Sequence, residues 1–173
     1  MSNLRLINET TVSSTVTSVN VTDVFTNDFD IYKIVSSNTV SDTNTSDLDM
    51  RFINSSGSVI SSSIYEYAYL RVRADSSFNE VRSTGDSDIQ VGFGQVNTAT
   101  SNGIVGYVFN PFSSSSYTFY LMQSGQMSGT NFRAIKQIAI LEQLSSITGV
   151  QLVVNGGNLT NAKIRTYGLR VDT

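Results

Sequence analysis

The chain has no cysteine, no histidine and no tryptophan, and a single proline among its 173 residues. Without cysteine there are no disulfides, so stability has to come from core packing, ladder hydrogen bonds or association with other subunits. The joint loss of cysteine and histidine removes imidazole bases, thiolate nucleophiles and the usual zinc ligands, which excludes Ser-His-Asp and Cys-His enzymes. Charge is scarce as well: 14% of residues are charged, against 39% hydrophobic. A net charge of −3 and a pI near 4.8 give no long-range attraction for a phosphate backbone, which argues against a nucleic-acid partner. No run approaches the ~20 apolar residues of a membrane span, and the opening MSNLRLINETTV lacks the apolar core of a signal peptide. The expectation is a chain that folds in the cytosol where it is made, with no membrane insertion.

What the chain does have is serine, threonine and asparagine in quantity, interleaved with apolar residues at a period of two. That period marks half-buried antiparallel strands, and helical spacing is nearly absent. Val12 to Val24, rich in β-branched residues, reads as a long first strand, and residues 1–25 as an N-terminal strand or an attachment arm. FDIYKIV (Phe29 to Val35) and LDMRFIN (Leu48 to Asn54) follow, the second with Leu48, Met50 and Phe52 on one face and Asp49, Arg51 and Ile53 on the other. NSSGSVI reads as a hairpin turn with Gly57 at its tip. Further strands are predicted at DIQVGFGQV, GIVGYVFN, SYTFYLMQ, VQLVVN and KIRTYGLRV. Residues 132–147, FRAIKQIAILEQLSSI, fit either period, and their neighbours favour a strand. Roughly eight to ten short strands with turn-rich spacers predict one all-β domain over residues 1–173, an antiparallel β-sandwich of jelly-roll-like form.

In YEYAYLRVR, Tyr65, Tyr67, Tyr69, Arg71 and Arg73 share one face, opposite Ala68, Leu70 and Val72. The aliphatic face is the expected core side, which leaves the aromatic and basic row as a surface contact: tyrosine rings stack on sugars or fill subunit interfaces at low entropic cost. The competing reading puts the rings in a core with both sheet faces covered.

Acidic pairs stand at Asp28 and Asp30, Asp47 and Asp49, and Asp86 and Asp88, each on one side of an extended segment. Two carboxylates on one face can hold a Ca²⁺ with backbone carbonyls, although Asp at turns and solvent faces more often bonds its own backbone. No metal or other cofactor is expected. A glycosidase needs carboxylates paired across a cleft, and the spacing of Glu66 and Glu80 singles out no such pair. Gly92-Phe93-Gly94 lies inside an alternating strand and opens no helix, so it reads as a bulge or a close backbone approach and not as a phosphate loop. Glycosylation sequons at Asn8, Asn20, Asn44, Asn54 and Asn158 are what such a Ser/Thr-rich composition yields by chance.

The order FDIYKIVSSNTV, LDMRFINSSGSVISSSIYEYA, YVFNPFSSSSYTFY and SSITGVQLVVNGGNLTNAKIRTYGLRV resembles small structural proteins and tail-fibre modules of tailed bacteriophages, including marine and cyanobacterial phages. The resemblance runs from about Phe29 onward, its most specific part being the closing S-I-T-G-V strand, Gly-Gly-Asn turn and I-R-T-Y-G-L strand. It implies a jelly-roll-like sandwich on the virion exterior, often a trimer, serving as head decoration, fibre or tail-associated receptor-binding unit, with no family-wide catalytic residue. The chain departs from long fibres in having neither a shaft nor coiled-coil heptads. The functional expectation is a non-enzymatic virion structural protein that pairs with itself and with capsid or tail proteins. The alternative is a receptor-binding module recognising host surface glycans.

Overall fold

Over the described residues, alternation at a period of two becomes twelve strands in two sheets. The computed structural model describes residues 3–43, 47–75, 78–93, 99, 101–128 and 131–170. The strands are β1 (Leu4–Val12), β2 (Ser18–Val21), β3 (Ile31–Ser41), β4 (Asp47–Asn54), β5 (Tyr65–Arg73), β6 (Asn79–Asp86), β7 (Ile89–Phe93), β8 (Asn102–Phe109), β9 (Thr118–Ser128), β10 (Asn131–Leu141), β11 (Ile147–Val154) and β12 (Leu159–Leu169). An eight-stranded sheet runs β1-β12-β3-β8-β9-β10-β5-β6, and a four-stranded sheet runs β2-β11-β4-β7. Every pairing is antiparallel.

Removing two hairpins leaves the halves β1-β12-β3-β8 and β2-β11-β4-β7, the interleaved order of an eight-stranded jelly roll. The hairpins are β5-β6, inserted between β4 and β7, and β9-β10, inserted between β8 and β11. Both add to the β8 side of the larger sheet. These insertions raise the count above the eight to ten strands expected. β6 was not foreseen at all, because NEVRSTGD offers one apolar residue, Val81, to betray its alternation.

The segment from Val12 to Val24 is not one strand. β1 ends at Val12 and the chain crosses between sheets, with a lone bridge from Val16 to Leu159, before β2 begins. Nor do residues 4–21 form a free arm: β1 pairs with β12 along its length, and β2 with β11. Residues 131–141 are strand and not helix. Asn54 closes the predicted turn by accepting the Gly57 N–H at 2.9 Å, and Gly57 itself has φ 79°, a conformation glycine adopts without steric cost.

The core is one cluster between the sheets, with Tyr32, Tyr65, Tyr120, Phe25, Phe52 and Leu141 among its largest fully buried side chains. The phenols of Tyr32, Tyr65 and Tyr69 are hydrogen-bonded there. Tyr32 Oη donates to the Thr26 carbonyl at 2.9 Å and accepts the Thr26 N–H at 2.8 Å. Tyr120 lies across Gly106 of β8 so closely that a Cβ there would fall 2.3 Å from its hydroxyl oxygen.

Candidate functional site

The tyrosine row of β5 points inward, which corrects the expectation that it lies on the surface. Tyr65 is 0% exposed and Tyr69 6%, Tyr67 packs against the core, and Arg71 and Arg73 are half-buried. The reason lies in what each hydroxyl meets. Tyr65 Oη donates to the Ile60 carbonyl and accepts the Phe52 N–H, each at 2.9 Å. Tyr67 Oη donates to Asp86 at 3.2 Å, and Tyr69 Oη to Gln90 Oε1 at 2.6 Å. A phenol buries its ring without penalty when its oxygen finds partners. Arg73 closes a two-bond fork on Asp75, at 3.0 and 2.8 Å.

Two of the three acidic pairs converge beneath this row. Asp47 and Asp49 on β4, Asp86 at the end of β6 and Asp88 just before β7 come close enough for the other three to act on Asp49; Gln90 Nε2 donates to Asp47 at 2.5 Å, while Arg51 pairs with Asp88 at 3.0 Å. Asp49 is 3% exposed. Burial, then the charges of Asp88 and Asp47, push its carboxyl up to about 8. Burial and Asp88 raise Asp47 as well, against a smaller opposing pull from Arg71. Buried carboxylates that repel one another hold their protons more tightly. Asp28 stands apart, bonded to Thr26 Oγ1 at 3.0 Å. Among the described residues, no three acidic side chains are arranged to share a metal ion. Gly92 sits where β7 slips register against β4, and a Cβ there would lie 3.0 Å from Asn102 Oδ1, so the close approach read from the sequence is present. Gly94 and Asn44 fall outside the described residues.

With its tyrosines inward, β5 turns Ala68 and Leu70 to solvent, and register extends this apolar face across the larger sheet. One row runs Arg82, Ala68, Ile138, Leu121, Tyr107, Lys33, Tyr167, Leu6. The next runs Glu80, Leu70, Lys136, Gln123, Val105, Val35. On the other side of the first lie Glu66, Ile140, Phe119, Phe109 and Ile31. Ile138 is 60% exposed, Leu6 51%, Phe119 45% and Leu121 42%. From the β6 edge inward to β8 the face is hollowed into a groove of about 960 Å³, reaching from Glu80 and Arg82 to Val105 and Tyr107. Contiguous exposed apolar surface of this kind marks interaction sites.

No protein-family model matches the chain, and neither does any curated protein. A solved structure of the Gx strain of infectious bursal disease virus aligns at 12% identity with a TM-score of 0.16, over 96% of this chain and 36% of that one. Likeness at that level carries no argument about fold or function.

The apolar face was the part that sequence reasoning missed. Its signal was present in β9 and β10: TFYLMQ and AIKQIAIL are apolar at both parities, the mark of a strand with both faces destined for cover.

Proposed function

We propose that this chain is a non-enzymatic structural protein of a tailed-phage virion, exposed on the particle as head decoration, fibre or tail-associated protein, and acting by self-assembly and docking. The observation that carries the reading is the apolar outer face of the larger sheet, where Ile138, Leu121, Phe119 and Leu70 are left to water. Such a face is stabilised by a protein partner, and covering what remains exposed of each of these side chains is worth roughly 1 kcal/mol. The resemblance to phage structural modules supplies the kind of particle, and the cysteine-free composition suits a protein assembled in a reducing cytosol.

Glycan recognition was placed on Tyr65, Tyr67 and Tyr69, and their burial takes that platform away. The groove on the opposite face is lined by Leu70, Leu121, Ile138 and Tyr107 together with Glu80, Arg82, Gln123 and Lys136, and Tyr107 as its one outward-facing ring is a poor platform for sugar stacking.

The test is to add purified protein to virus particles lacking it and sediment the mixture. Saturable co-sedimentation is expected. Failure to bind heads or tails, or turnover of a cell-wall or capsular polymer by the purified chain, overturns the reading.

A further inference from the structure

Resting on that reading, we infer that the outer face of the eight-stranded sheet pairs with the same face of a second copy, about a two-fold axis running across the strands between the Leu121 and Gln123 rows. Three features of the face carry this.

The first is charge. Glu80 and Arg82 stand two residues apart on β6, both exposed and both on the outer face, level with Leu70 and Ala68 respectively. A two-fold axis across the strands, midway between those rows, inverts their order in the facing copy. Arg82 then meets Glu80 of the second copy and Glu80 meets its Arg82, giving two equivalent ion pairs at the rim of one isologous contact.

The second is apolar register. The same operation sets Ala68 against Leu70 of the second copy and the Lys136 stem against Ile138, while Leu121 covers Gln123. Long lysine stems cover apolar surface while keeping the ammonium in water. A centre of aliphatic side chains inside a charged rim is the usual anatomy of a specific interface.

The third is shape. Strand twist gives a sheet face the form of a saddle, concave along one diagonal and convex along the other. A two-fold axis lying in such a surface across its strands maps the saddle onto itself, so the concave diagonal of one copy receives the convex diagonal of its mate. The two sheets then pack at the ~10 Å spacing of stacked sheets, with the groove of about 960 Å³ straddling the axis and enclosed between the copies. A three-fold arrangement, the one implied by the family resemblance, brings different patches together and makes no use of the Glu80–Arg82 inversion.

Sedimentation equilibrium decides this, using the full chain and four variants, with circular dichroism confirming that each is folded. The wild type is expected to be a dimer. Ile138→Asp is expected to be a monomer. Glu80→Arg and Arg82→Glu are each expected to weaken the dimer by about tenfold or more, since each sets like charges against one another twice. The double exchange, Glu80→Arg with Arg82→Glu, restores opposite charges and is expected to recover most of the affinity. A wild-type monomer at about 100 μM, which is weaker than any specific standard interface, would overturn the pairing. A trimer, or a double exchange no better than the singles, would overturn it too. A monomer that still docks on particles leaves the structural reading standing without this pairing, whereas a dimer that ignores particles leaves the pairing without that reading.

Discussion

At the scale of single residues, hydroxyl and carboxyl partners decide which way β5 faces. Tyr65 serves two buried backbone groups at once, the Ile60 carbonyl and the Phe52 N–H. Tyr65→Phe leaves both unpaired and is expected to cost about 2–3 kcal/mol in urea unfolding while leaving particle docking intact; an unchanged midpoint would show that the ring does not anchor the sandwich. Asp49 makes a second test. Its folded-state carboxyl, at about 8, stands above the ordinary 3.8. The stability it contributes is therefore fully present below about pH 4 and lost as pH rises through 8, because the native state binds the extra proton in that window. Asp47, also raised, slopes the same way. Asp49→Asn cannot ionise, so its melting temperature is expected to fall less between pH 5 and pH 9 than that of the wild type. Parallel profiles for the two proteins would remove Asp49 from the account.

At the scale of elements, strand alternation was legible and the face assignment was not. β3, β4, β7, β8, β9, β11 and β12 lie where period-two runs and turn residues put them. β5 was assigned its correct alternation and the wrong side, because Tyr and Ala-Leu-Val are both fit for burial and the choice rests on Ile60, Asp86 and Gln90. Of these, Asp86 ends β6, the neighbour of β5 that the sequence did not reveal, and Gln90 stands on β7 of the other sheet, so no local pattern connects either to β5. The convergence of Asp47 and Asp49 with Asp86 and Asp88 likewise depends on β4 and β7 being neighbours, a topological fact invisible in spacing. Hairpin packing inside the larger sheet can be tested at Gly106, where β8 must leave room for the Tyr120 ring of β9. Gly106→Ala forces that ring to move and is expected to destabilise by about 1–3 kcal/mol; a neutral result would mean that the ring has another place to go.

At the scale of the whole molecule, two inserted hairpins widen one sheet of a jelly roll beyond what the other can cover, and they carry apolar residues on both faces. The inward side completes the core with Tyr69, Tyr120, Met122 and Ile135. The outward side presents Leu70, Leu121, Ile138 and Phe119, which is the surface on which assembly is proposed to act. The measurement that tests this most directly is a competition for particles lacking the protein, between wild type and a folded Leu121→Lys variant, read by co-sedimentation. If the outer face is the docking surface, the variant is excluded from particles while the wild type saturates them. If the variant docks as well as the wild type, the apolar face is not what the particle holds, and the assignment of docking to it is wrong.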